Sequence, residues 1–211
     1  MTTATEEPED RARDQARAQL EGIREILAAL NVGYDQMEKL QDDYDALRTE
    51  IDDAIENFDQ LQSEYLEMRD DNAATHEGAL DQACDALVDA ENALYNWPDR
   101  DEFEQLKADA GDSVSKEDAE QRIQEDPLSV QVRSGWYSPG ASGEDIAPEE
   151  FEILLCTGGP AVRILGELNG HNEPSRAYMQ YQDWGTPWTG YYEPGIGDAL
   201  LEYAQQFYFG E

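Results

Sequence analysis

IREILAALNVGYDQMEKLQDDYDALRTEIDDAIENFDQLQSEYLEMRDD, residues 23–71, decides the fold class. Set in sevens from Ile23, its first column reads Ile23, Leu30, Met37, Tyr44, Ile51, Phe58 and Tyr65. Its fourth column reads Ile26, Gly33, Leu40, Leu47, Ala54, Leu61 and Met68. No carboxylate enters either column, and Gly33 and Ala54 are its small residues. An apolar 3–4 repeat held this long specifies a long helix with a narrow buried seam, in a coiled coil or a long-armed helical hairpin. The acids lie outside the seam: residues 34–71 carry 14 Asp and Glu against Lys39, Arg48 and Arg69. The pattern therefore describes a rod with a dense anionic surface.

Working outward, Leu20, Ile23, Leu27 and Leu30 continue the apolar face towards the N-terminus, through good helix formers from Glu9. One helix over residues 9–71 would be about 95 Å long at 1.5 Å per residue, with Gly33 as a local weak point. DDNAATHEG, residues 70–78, is a weak break. A second apolar pattern follows, Leu80, Cys84, Leu87, Val88 and Leu94, and ends at Trp97-Pro98. It reads as a helix of about twenty residues folding back on the first. A helix that short leaves the N-terminal part of the long one uncovered, which predicts a homodimer.

Pro98 opens a short helix that Gly111 stops. Ser115-Lys-Glu-Asp118 resembles a capping box and starts another, ended by Pro127. From Leu128 the period changes to two. LSVQVRSGW, FEILLC, AVRILGEL and SRAYMQYQDW read as strands of an antiparallel meander, the first of them at an edge. GTPWTGYYEPG is a long aromatic loop, and residues 196–209 are a closing helix with Ile196, Leu200, Tyr203 and Phe207 on one face. The expected fold is α+β. A long acidic coiled-coil or helical-hairpin region spans residues 1–98. A small module follows at 99–211, with two short helices, an antiparallel meander and a C-terminal helix, the helices on one side of the sheet.

The formal net charge is −35. Residues 1–130 hold 37 acids and 11 bases, a net of −26, and residues 131–211 hold 12 acids and 3 bases, a net of −9. Direct binding to nucleic acid or anionic lipid is close to excluded, because phosphate contacts need Lys and Arg. A basic DNA- or RNA-binding protein is the natural partner. Cys84 and Cys156 alone make neither a disulfide framework nor a zinc site. With His76 and His171 isolated, no metal or cofactor is expected. MTTATEEPED lacks the basic and apolar regions of a signal peptide, and no apolar run reaches the ~20 residues that cross a membrane. A cytoplasmic protein is expected.

LCTGGPAVRILGEL, YQDWGTPWT and the terminal YAQQFYFGE resemble a C-terminal module of uncharacterised proteins carried on bacterial plasmids, integrative elements and phages. The resemblance covers about residues 115–211. It implies a mobile-element setting in a bacterial host cell, and with it a role against host defences. It implies no functional residues.

Three constellations follow from the residues. On the outer face of the long helix, Glu38, Asp42, Asp45, Asp52, Glu56 and Asp59 form a stripe interrupted by Thr49. Fourteen acids over 38 residues is one per roughly 4 Å of helix, near the 3.4 Å axial spacing of phosphates on a DNA strand. Asp is a poor helix former and Glu–Lys pairs at i+4 are scarce, so helicity alone does not account for the acids. This points to a DNA mimic for a basic groove; an ordinary solvated coiled-coil exterior presents the same pattern. Tyr181, Trp184, Trp188, Tyr191 and Tyr192 either form a binding surface or cap the small sheet as a mini-core. As a binding surface they would make the chain a coiled-coil adaptor or structural protein that holds its partner through the aromatic module. Last, Cys156 beside Thr-Gly-Gly, with His171 and Asp183, contains the residue types of a thiol enzyme. Nothing in the sequence brings the three together, and Cys156 reads as a buried strand residue, so no enzymatic activity is expected.

Overall fold

A computed structural model describes residues 8–67, 73–140 and 147–210. Among these residues it contains six helices and one five-stranded antiparallel sheet: α1 (Pro8–Leu30), α2 (Tyr34–Glu67), α3 (Ala73–Tyr95), α4 (Arg100–Ala110), α5 (Lys116–Glu125), β1 (Ser129–Ser134), β2 (Pro148–Cys156), β3 (Ala161–Leu168), β4 (Pro174–Gln182), β5 (Thr189–Tyr191) and α6 (Ile196–Ala204). The fold class is α+β. No helix among the described residues is long and apolar enough to cross a membrane.

The expected single helix over residues 9–71 is two helices. Asn31, Val32 and Gly33 separate α1 from α2. The Asn31 amide group turns back to the Leu27 carbonyl at 3.0 Å, and Met37 N–H donates to the Gly33 carbonyl at 2.9 Å as α2 begins. The chain divides into two compact units, one made of residues 1–32 and 109–211, the other of residues 33–108. The division expected at 98/99 is thereby corrected. α1 belongs with the sheet, and the helical unit is inserted between α1 and the rest of the sheet domain.

The sheet domain is built around one apolar layer. Its strands run in the order β1-β2-β3-β4-β5, each antiparallel to the next. Alternation places Phe151, Ile153, Val162, Ile164, Met179 and Tyr191 on one face, all buried. α1, α5 and α6 cover that face. From α1 come Ala16, Leu20, Ile23, Ile26 and Leu27; from α5 Ile123; from α6 Leu200, Tyr203 and Ala204. The N-terminal apolar face therefore needs no second chain to cover it, because the protein's own sheet does so.

Local signals hold elsewhere. Gly111 has φ +57, the left-handed conformation that ends α4. The Ser115 hydroxyl accepts from Asp118 N–H at 3.1 Å while the Asp118 carboxylate accepts from Val114 N–H at 3.1 Å, a reciprocal cap on α5. The closing helix is shorter than the expected 196–209 and stops at Ala204. The chain then unwinds so that Phe207 and Phe209 enter the core, with the Phe209 ring 4.8 Å from that of Phe151. β5, inside the expected aromatic loop, completes the sheet by pairing Met179 with Tyr191.

In the helical unit α2 and α3 pack along one another. Tyr44, near the start of α2, meets Trp97, just past the end of α3, and both meet Phe103 of α4, with ring centroids 5.5–6.1 Å apart. That cluster makes the pair antiparallel. Leu40, Ala83 and Phe103 are buried, while Leu47, Ile51, Ala54, Phe58 and Leu61 are half-buried, as two helices without a third layer allow.

Candidate interaction surfaces

The six stripe carboxylates sit on one uninterrupted helix of 34 residues. Glu38, Asp42, Asp45, Asp52, Glu56 and Asp59 are all exposed. At 100° per residue they fall within an arc of about 100°. α2 as a whole holds 12 acids against Lys39 and Arg48, a net of −10. Among the described residues no acid of α2 is in a salt bridge. Asp45 accepts a hydrogen bond from the Gln41 amide at 2.9 Å. Residues 33–108 hold 23 acids and 5 bases, a net of −18, while the larger remainder holds 26 acids and 9 bases, a net of −17. The charge is therefore concentrated on the helical unit. Counted on one face, the stripe has one carboxylate per roughly 6 Å, a wider spacing than the all-round average. It shares the sign of a strand of phosphates but not its spacing of about 3.4 Å.

The aromatic residues do not form one surface. Tyr181 and Tyr191 lie on the helix-covered face of the sheet, their rings 6.4 Å apart and edge to face, and Tyr191 is 5 % exposed. The Arg163 guanidinium lies over Trp188, its central carbon 4.0 Å from the ring centroid, on the opposite face. Trp184 and Tyr192 are 78 % and 84 % exposed. The Trp184 indole N–H is held by the Gly158 carbonyl in the β2–β3 turn.

The Cys–His–Asp set is not assembled. Cys156 lies opposite Val162 at one end of β3, and His171 lies in the turn beyond Leu168 at the other. Six strand residues separate those ends, about 20 Å. Burial pushes the Cys156 thiol up, away from the thiolate.

Asp183 has a structural role instead. It is 3 % exposed, accepts from Trp184 N–H at 2.7 Å and receives the Arg11 guanidinium at 3.0 Å, so that α1 is tied to the end of β4. The Trp184 N–H first, and Arg11 after it, hold its carboxyl below the usual carboxylate range. A depressed folded-state pKa stabilises above the unfolded value, about 3.9, and that stabilisation is lost as pH falls through the folded value. The sheet domain is accordingly expected to lose stability below about pH 4. In Asp183→Asn the melting temperature should fall at neutral pH and vary less between pH 5 and 2, as thermal unfolding across that range would show.

The face of the sheet opposite the helices carries a feature that the sequence reading missed. Arg133, Arg163 and Arg176 are the three bases of residues 131–211, and all project from it. Each meets a Glu on the adjacent strand: Arg133 with Glu150, Arg163 with Glu152 at 2.6 Å, Arg176 with Glu167 at 3.4 Å. A shallow depression of about 330 Å³ is lined by Arg133, Arg163 and Glu167, with Leu165 and Tyr178. Period-two spacing places Arg133 with Gln131, and Arg163 with Leu165, on the polar side of their strands, which was the available signal.

No protein-family model matches the chain, and no curated protein or solved structure matches it either. The functional reading therefore rests on charge and geometry.

Proposed function

We propose that the protein binds a basic, DNA-binding protein of a bacterial host, a defence protein in a mobile-element setting, by presenting α2 in place of DNA. The observation that carries this reading is the stripe: six exposed carboxylates on one arc of one helix, none of them in a salt bridge among the described residues. An exposed pair contributes about 0.2–1 kcal/mol, so single substitutions change little. Steering depends on the summed field. Replacing Asp42, Asp45 and Asp52 by Asn and Glu56 by Gln together should slow association by about tenfold or more. The apolar residues of α2 are untouched, so helicity is retained. The experiment captures partners from a bacterial lysate at low and high salt, then measures association of parent and quadruple variant with the captured protein, with duplex DNA as competitor. Equal association rates, or simultaneous binding of DNA and this protein, would overturn the reading. Salt-resistant capture that needs Trp184 or Tyr192 would instead favour an adaptor working through the aromatic module.

A further inference from the structure

We infer that the outer edge of β1 is a self-association surface, on which a second copy of this chain adds its own β1 antiparallel about a two-fold axis through Gln131. This goes beyond the acidic stripe and uses the other unit of the chain. β1 pairs with β2 on one side, and no described strand lies on its other side. Its outward N–H and C=O groups are a template for a further strand. Sheet edges are ordinarily blunted by Lys, Pro or inward charges. Here residues 129–133 hold one charge, Arg133, and its guanidinium is drawn back to Glu150.

The side chains point to the same occupant. Val130 and Val132 lie opposite Ile153 and Phe151, so they belong to the helix-covered face, yet they are 38 % and 46 % exposed because the helix layer does not reach them. Leu128, just before the strand, is 59 % exposed, and Trp136, just after it, is fully exposed. Faces are preserved across an antiparallel two-fold when the axis passes through a residue. With Gln131 on the axis, Val130 faces Val132 of the partner twice over, and Arg133 faces Ser129. Continuing the register brings each Leu128 to the Ser134–Trp136 end of the other chain. The edge is thus self-complementary: valines meet valines and no like charges oppose.

Charge patterning agrees. Residues 127–143 contain no Asp or Glu, a run of 17 residues in a chain with 49 acids among 211. That run holds the edge strand and the exposed Trp136. Two copies each carrying −35 repel one another, and an acid-free junction keeps carboxylates from the contact. Association through this edge should therefore tighten as salt screens the global repulsion, the opposite of the stripe's behaviour.

The test is sedimentation equilibrium on the full chain at about 0.05 and about 0.5 M salt. The expected result is a monomer–dimer equilibrium shifted towards dimer at the higher salt. Val130→Lys with Val132→Lys sets lysine against lysine across the axis and should weaken the dimer by at least about tenfold. Val130→Glu with Val132→Lys sets Glu against Lys twice and should restore it. Both positions are half-exposed, and thermal unfolding checks that each variant folds. Amide exchange in the parent should slow at β1 as concentration rises. A parent that stays monomeric at both salts, a double-lysine variant that dimerises like the parent, or a Glu/Lys variant that folds without regaining dimer would overturn the inference. So would a dimer lost on substitution of Leu47 and unaffected at β1.

Discussion

Residues 99–211 alone will not form the sheet domain, whereas residues 1–32 joined to 109–211 through a flexible linker will. The first of these follows from the domain division, which joins residues 1–32 to 109–211 in place of the module expected at 99–211. The reason is the position of α1. Ala16, Leu20, Ile23, Ile26 and Leu27 lie in the same core as Phe151, Ile164 and Tyr203. Leu20 and Ile23 are 0 % and 1 % exposed. Without α1, the central strands present Ile164 and Met179 to water, with no element to replace that layer. Truncating one such residue to Ala costs about 2–5 kcal/mol, and a whole domain is held by about 5–15. Leu20→Ala with Ile23→Ala should therefore unfold the domain or bring it close to unfolding. Arg11–Asp183 and Arg24–Glu193 fix α1 at the surface, and Arg24, with Tyr191 beside it, holds the Glu193 carboxyl below its ordinary range. The measurement is near-ultraviolet circular dichroism and amide exchange on the three chains. A cooperative transition from 99–211 alone would refute the account.

Gly166→Ala should be strongly destabilising. Gly166 is buried in β3 opposite Ala177. A Cβ there would enter the Arg176 carbonyl oxygen of β4 and the ring of Phe151. The carbonyl belongs to the backbone of the next strand and cannot move aside without parting β3 from β4. The ring is held against Phe209. Overpacking of this kind costs about 3 kcal/mol or more. Ala at Gly170, in the following turn, meets nothing within 4 Å and serves as the control. Urea denaturation of both should show a large fall in midpoint for the first and little change for the second. Equal midpoints would mean that β3 and β4 are not packed as described.

Much of this was legible in the sequence. The 3–4 repeat from Met37 onward marks α2, and the alternation after Leu128 marks four of the five strands in order. The capping residues Ser115 and Asp118 and the stop at Gly111 are local chemistry, which is why they read correctly. At α1 the apolar face is legible but its partner is not. Leu20, Ile23 and Leu27 fit a heptad, and an amphipathic helix has the same spacing whether it meets another helix or a sheet. A signal was present in the charges. α1 carries five acids and four arginines, while α2 carries twelve acids and two bases. The shift falls at Gly33, a residue that already interrupts the seam. β5 was hidden because three residues between Pro187 and Pro194 are too short for a period. The stripe was readable as a pattern, and the helix shows it exposed. What meets it lies outside any single chain's sequence.

The insertion of the hairpin between α1 and its sheet has a consequence for the order of synthesis. α1 leaves the ribosome first, but Asp183, to which Arg11 bonds, follows 172 positions later. The helical unit, residues 33–108, closes through neighbouring helices, the fast kind of folding. The sheet domain must wait for its last helix, with an amphipathic N-terminal segment uncovered meanwhile. A folded hairpin replaces 76 residues of loose chain by a compact body, which lowers the entropy lost when α1 finally docks. The anionic unit, completed early and strongly charged, also keeps that waiting segment in solution beside it on the same nascent chain.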